Sequence, residues 1–496
     1  MKLIASALAA TGKAIHAAWT APLVLFAAFL IAWGAEAAQF LMSQGLALAV
    51  LAWLQTLPEF AVEAELAWQA GRGTAADVHL VTANFTGSIR LIMGFGMPVV
   101  YFISTRFWSR ARSLKPIVLD PFHSVEIISL FPPIIYFLHI LHKGSLDVID
   151  SIVLLSFYAL YLGLLLKMPP EEEEDISELP LVSRWILRCG RMGRILGCVG
   201  VFVAGGAILY FTVHPFIESL KSLAVMMGMA PFFFIQWVAP FLSEMPEKVS
   251  AFAWAARSNK ASMSLMNFLS SNLNQLTVLV AMVPIVFVVS AATAPEVDEL
   301  LERADKAKIA PLVSKHGTID RDRAHAMLLD QSSAERVLSE LERSGARLLP
   351  DGAALLRSQL REELREAAVE RGGEGLPRIR FNHAQLSEVL LTVAQAALCL
   401  VLLLNMKFEW WDAVGMFVLF IAQFLSPLWA KMLGLRASEV EPFNESFRVW
   451  VSLVYLAWIG LEAALCLARV RNWQFPMLAR PSRPLFQRQT RGPDAR

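Results

Sequence analysis

Two short segments set a proline and a glutamate side by side in otherwise apolar sequence. They are Leu54-Gln55-Thr56-Leu57-Pro58-Glu59-Phe60-Ala61-Val62-Glu63 and Leu242-Ser243-Glu244-Met245-Pro246-Glu247-Lys248-Val249-Ser250. Proline has no amide hydrogen, so within a helix Pro58 frees the carbonyl of Leu54 and Pro246 that of Leu242. In a bilayer such a carbonyl must be satisfied by protein, water or an ion. A carboxylate directly after each break adds a second hard oxygen, and the combination suits Ca²⁺ or Na⁺. A polar cluster follows each segment: Asn84-Phe85-Thr86-Gly87-Ser88 after the first, Asn267-Phe268-Leu269-Ser270-Ser271-Asn272 after the second. Glu59 and Ser88 are 29 residues apart, Glu247 and Ser271 24. Ser88, Ser271, Asn84, Asn267 and Asn272 would supply neutral oxygens, which bind a cation without the burial cost of further charge.

Individual members have plainer readings. A membrane proline is often a simple kink, and small polar residues also hold helices together. An intramembrane glutamate is different, because its burial cost makes function the default. Gly87 and its counterpart Ser270 fit close helix packing better than ion binding. Glu63 lies one turn beyond Glu59 and Glu244 one turn before Glu247, so each either joins the site or faces its vestibule. Arg90 and Lys248 fall in the same region. Facing the site, they replace bound monovalent cations; paired with Glu63, Glu65 or Glu244, they only offset extra charge. His139 and His142 read as interfacial, and Met226, Met227, Met229 and Phe232 to Phe234 as packing or lipid-facing residues.

The elements that must position these residues are membrane helices. The chain has 496 residues, 56% hydrophobic and 18% charged, with a mean hydropathy of +0.51; soluble chains carry about 25% charge. Apolar runs of roughly 20 residues recur along most of the length, which excludes soluble enzymes, disulfide scaffolds and disordered proteins. The runs are apolar on all faces, which excludes a β-barrel. Spans are expected near 20–40, 44–69, 78–105, 124–141, 148–166, 195–220, 224–257, 261–291, 385–406, 409–431 and 447–469. The pattern is five plus five plus one. The two Pro-Glu copies start in the second and seventh spans, an odd number apart, so they must run in opposite senses through the membrane, as in inverted-repeat transporters. The expected fold class is therefore an all-α polytopic membrane protein: two inverted five-helix repeats, one extra C-terminal helix and a small soluble insert.

Residues 1–166 form the first repeat and 167–194 a linker. The second repeat occupies 195–291 and 385–469, the latter including the extra helix, and 470–496 are a basic tail. The linker carries the acidic run Glu171 to Asp175, which fits a solvated stretch better than a regulatory cation site because five consecutive carboxylates cannot all converge on one ion, and then Arg184, Arg188, Arg191 and Arg194 at helical spacing. With Leu181, Trp185, Ile186 and Ile195 toward lipid, these fit an interfacial helix on an anionic leaflet. The insert, 295–382, has the helix order of a winged-helix module. Its acidic and basic residues nearly balance, so it lacks the basic face that nucleic acid requires, and a protein partner suits it better. Short-loop charges (Arg106, Arg110, Arg112, Lys115, Lys167, the arginine stripe and the tail) place the N-terminus outside and the tail inside. The insert is then outside as well. Cys189, Cys198, Cys399 and Cys466 show no metal or disulfide spacing. No cleavable signal peptide is evident.

The paired motifs resemble those of the calcium/cation antiporter superfamily, the sodium/calcium exchanger-like proteins, whose repeats read G-T-S-L-P-E and then G-N-x-x-G-S-N-x-x-N/D. Leu57, Pro58, Glu59, Asn84, Gly87 and Ser88 match the first copy; Pro246, Glu247, Asn267, Ser271 and Asn272 match the second. Thr56 and Ser243 fall within the stretches that replace Gly-Thr-Ser. Ile89 stands where the family has Asn, and Ile92 and Gln275 where it has a coordinating Asn or Asp. The resemblance implies no enzyme and no cofactor. It implies a multi-pass protein of the cell's inner (plasma) membrane that exchanges Ca²⁺ or a similar cation for Na⁺ or H⁺, with Glu59 and Glu247 central. The alternative is a non-transporting sensor or scaffold on the same fold, signalling through 295–382. No HExxH, GxSxG or similar motif suggests a membrane enzyme.

Overall fold

Proline placement decides where the buried helices begin. In the computed structural model, which describes residues 13–41, 54, 56–72, 75–108, 115–120, 124–167, 176, 179–227, 229–257, 260–293, 378–435 and 437–468, helix α2 (Leu57–Arg72) has Pro58 as its second residue. Neither Pro-Glu pair sits in the middle of a continuous span. In the second copy α10 (Pro231–Ser243) stops, Glu244 takes a non-helical conformation, and α11 (Met245–Ala255) restarts with Pro246 in its first turn. First-turn amides have no intrahelical acceptor, so proline costs nothing there. Glu59 and Glu247 consequently lie in the first turns of α2 and α11, at the positive ends of their helix dipoles.

The other described residues form helices apart from their connecting loops and two pairs of two-residue strands. Helix α1 (Ala17–Ala38) packs along α9 (Arg191–Met226). Helix α3 (Ala75–Leu91) runs through a π turn, Ile92–Gly96, into α4 (Met97–Trp108), and α12 (Ala261–Asn274) runs through another, Gln275–Leu279, into α13 (Val280–Ala292). Each π turn starts four residues after the motif serine, Ser88 or Ser271. Such turns widen the helix by one residue and recur at functional sites. The other helices are α5 (Ser124–Ser129), α6 (Phe131–Lys143), α7 (Val148–Leu165), α8 (Leu181–Leu187), α14 (His383–Leu403), α15 (Trp410–Phe424), α16 (Ser426–Met432) and α17 (Ala437–Leu467).

Among the described residues eight segments are long and apolar enough to cross a membrane, and α10 and α15 are shorter apolar helices. The spans expected at 224–257 and 409–431 are broken helices, divided at Glu244 and at Leu425. Of that expected at 44–69, residues 44–53 and 55 lie outside the described residues. So do Glu171 to Asp175, the insert up to residue 377 and the tail. Large apolar side chains face outward on α7 (Ile149, Ile152), α9 (Val203, Tyr210, Phe211) and α17 (Trp450, Leu453), while glutamate, lysine and arginine are buried inside. That distribution is the inverse of a soluble protein's and suits a lipid solvent. The arginine stripe is not one helical face. Gly190 opens α9 after α8 has ended, so Arg184 and Arg191 lie on different helices. Ile186 is buried rather than lipid-facing.

Two loops match closely across the halves. After α6, Gly144 turns the chain at φ 67° into β2 (Ser145–Leu146), and Asp147 with Asp150 forms a capping box for α7. After α14, Met406 turns at φ 58° into β4 (Lys407–Phe408), and Glu409 with Asp412 caps α15. Strand β1 (Ile117–Val118), ahead of α5, pairs antiparallel with β4; β3 (Ile379–Arg380), ahead of α14, pairs antiparallel with β2. Each half thus lends a strand to the other. At the membrane edge, burial pushes the Asp147 carboxyl up, but hydrogen bonds from Lys143 and the Asp150 and Ile149 amides bring it below the usual carboxylate range.

Candidate cation site

The helix restarts, the π turns and the break before α11 converge on four buried carboxyl groups, Glu59, Glu63, Glu244 and Glu247. Glu59 Oε1 and Glu244 Oε1 both contact the Ser88 hydroxyl. Gln275 Nε2, at the start of the second π turn, donates to Glu59 Oε2 at 3.0 Å and to Glu244 Oε1 at 2.8 Å. Lys248 Nζ donates to Glu244 Oε2 at 2.5 Å. Within the first copy Asn84 Nδ2 donates to Glu63 Oε2 at 2.5 Å. Within the second, Ser271 Oγ and Asn267 Nδ2 donate to Glu247 at 2.9 and 3.3 Å. The two copies therefore use the same two positions, an asparagine and a serine four residues on, to address their carboxylates.

Hydrogen counting shows what this arrangement requires. Ser88 has one hydroxyl hydrogen and two carboxyl neighbours, so only one of the two can accept from it. The other contact calls for a carboxyl proton or a bridging cation. Of the four buried carboxyls only Glu244 is paired with an ammonium, Lys248, among the described residues, and unpaired buried charge costs several kcal/mol per ion. Several polar atoms also lack a hydrogen-bond partner among the described residues: Glu63 Oε1, Asn84 Oδ1, Gln275 Oε1, Asn274 Oδ1, and both side-chain atoms of Asn272. Buried atoms are rarely left so. Among the described residues no three carboxylate, imidazole or thiol groups are gathered around one metal position, so the oxygens stand around the region without being drawn onto a point.

Most site residues expected from sequence are in this region. Glu63 and Glu244 belong to it, and Lys248 pairs with Glu244 within it, so the two roles open to Lys248 coincide. Thr56 lies at its edge, accepting from Asn274 Nδ2 at 2.6 Å. Ser243 turns back to the Pro240 carbonyl at 3.5 Å and touches none of the four carboxyls among the described residues. Gln275, a departure from the family motif, is the residue that bridges the two copies. Gly87 packs as expected: a Cβ there would stand 1.9 Å from the Gln236 carbonyl oxygen on α10.

Arg90 does neither of the things its position suggested. It points away from the carboxyls, into a second buried network that sequence reasoning missed. Arg90 Nη2 pairs with Glu388 Oε2, Nη1 donates to Gln423 Oε1 at 3.0 Å, Nε donates to the Thr86 carbonyl at 3.1 Å, and the guanidinium stacks over Trp237. Gln236 Nε2 donates to Glu388 Oε2 at 2.9 Å, and Arg448 Nη1 lies 3.0 Å from Glu388 Oε1. The missed signal was Glu388 itself, a carboxylate in the apolar α14, whose cost demands a partner.

A sequence profile described as sodium/calcium exchanger protein matches residues 14–167 and 198–303, one stretch around each Pro-Glu copy. The chain belongs to the sodium/calcium exchanger protein family. Among solved structures this family member is similar to the H⁺/Ca²⁺ exchanger CAX, at 25% identity and a TM-score of 0.63 over 95% of this chain and 98% of that one. A structure of the sodium-calcium exchanger NCX_Mj also matches, at 14% identity and a TM-score of 0.40 over 84% of this chain and 97% of that one. Among curated proteins none matches.

Proposed function

We propose that this exchanger-family protein is a secondary active antiporter that takes Ca²⁺ or a similar cation in one direction and Na⁺ or H⁺ in the other. The site is the space between Glu59, Glu63, Glu244 and Glu247, completed by Ser88, Ser271, Asn84, Asn267 and Asn272. The observation that carries this reading is the contact of Glu59 and Glu244 through one Ser88 hydroxyl. It joins a carboxyl from each copy where a proton or cation is needed to balance the hydrogens. Matching π turns, first-turn Pro-Glu pairs and exchanged strands support two repeats, inverted in the membrane, with the site at their interface.

Exchange follows from charge. Carboxylates in a low-dielectric interior are too costly to carry empty across the membrane. The site therefore reorients only when loaded, by a divalent ion or by the monovalent ions that replace it. The CAX structure, that of an H⁺/Ca²⁺ exchanger, supports Ca²⁺ as the cation. A scaffold reading would be favoured by basic residues filling the site, and Arg90 does not do so, because it is occupied by Glu388. In proteoliposomes, Ca²⁺ uptake driven by an outward Na⁺ or H⁺ gradient should fall to background in Glu59→Gln with Glu247→Gln. Unchanged uptake in that double variant would remove the site from the mechanism.

A further inference from the structure

Aligning the copies on Glu59 and Glu247 sets Thr56 opposite Glu244 and Phe60 opposite Lys248. The second copy therefore carries an extra carboxylate and an extra ammonium, one helical turn apart. They are joined at 2.5 Å and both are buried. The pair is inside the site, not beside it, because Glu244 Oε1 shares Ser88 and Gln275 with Glu59. Among the described residues Glu244 is the one carboxylate that Lys248 bonds. Arg90, the other basic residue near the motif, is held by Glu388 and contributes no charge to these contacts.

We propose that Lys248 is a tethered cation: its ammonium occupies on Glu244 the place that a monovalent ion would take, and so sets how many monovalent ions are exchanged per divalent ion. This rests on the antiport reading above. An ammonium is a compact point charge, and one anchored to α11 cannot leave with a gradient. Glu244 is then neutralised at every stage of the cycle, and only Glu59, Glu63 and Glu247 are left for the exchanged ions. The extra carboxylate contributes hydrogen-bond acceptors to Ser88 and Gln275 without adding an exchangeable charge.

The test is the coupling ratio. Purified full-length protein is reconstituted into vesicles with an internal Ca²⁺ indicator, with voltage clamped by K⁺ and valinomycin. The voltage at which net Ca²⁺ flux vanishes is read at a fixed Na⁺ gradient and again at a fixed pH gradient. Lys248→Met should raise the number of monovalent ions per Ca²⁺ by one, shifting the charge moved per Ca²⁺ by one. Glu244→Gln should lower it by one, and the double variant should return it to the wild-type value. Either single variant decides the matter. A ratio equal to wild type in a transporting single variant would overturn the proposal and leave antiport standing. Absence of exchange in the wild type under both gradients would overturn the antiport reading and this one with it.

Discussion

Two clusters of buried charge sit about half a helical turn apart on α3, yet they are finished to different degrees. Around Arg90 each of the three guanidinium nitrogens has an acceptor and both Glu388 oxygens are engaged; Arg448 Nη2 is the atom left over among the described residues. At the candidate site, carboxyl and amide atoms of Glu63, Asn84, Asn272, Asn274 and Gln275 lack partners among the described residues, and two carboxyls compete for the one Ser88 hydrogen. A satisfied network is a fixture, whereas an unsatisfied one has room for an occupant that comes and goes. Burial and charge alone would not have separated the two.

Substitutions can break or sharpen this contrast. The largest effect is expected for Arg90→Met, which removes the stronger partner of Glu388 and should cost about 3–5 kcal/mol of unfolding free energy in detergent, whether or not Ca²⁺ is added. A loss that Ca²⁺ restores would place Arg90 in the ion site instead. Gln423→Leu leaves Arg90 Nη1 and Gln395 Oε1 without their bonds, and should cost about 1–3 kcal/mol by the same measurement. Asn272→Leu should be nearly neutral, within about 0.5 kcal/mol, since apolar replacement of groups that already lack partners sacrifices no hydrogen bond. It should weaken the Ca²⁺-induced rise in melting temperature, a linkage effect of binding. A large destabilisation by Asn272→Leu would mean that its amide is bonded in the ion-free protein, and the contrast would fail.

The local part of the candidate site was legible in sequence because it is written within single helices. Asn84 and Ser88, and Asn267 and Ser271, each share a helical face, and each proline announces its carboxylate. Pairing across the chain was not legible. Gln275 looked like a lost ligand, and its bridging role depends on a π turn that no residue pattern displays. Arg90 invited pairing with a nearby glutamate; its partner is 298 residues away. Helix starts were misplaced for a simpler reason: proline ends a continuous helix as readily as it kinks one, and only neighbouring elements decide which. The fold class was the easiest feature to read, since uninterrupted apolar runs have one solvent that suits them.

The exchanged strands bear on how the protein is made. β1 and β2 belong to the first half of the chain, but their partners are Lys407–Phe408 and Ile379–Arg380. Arg90 likewise enters the bilayer long before Glu388 is synthesised. Until residues 379–408 are made, the first half of the chain therefore has open strand edges at β1 and β2, and Arg90 lacks its Glu388 partner. These pairings make completion of the fold a late, long-range closure between the two halves rather than a docking of two finished units.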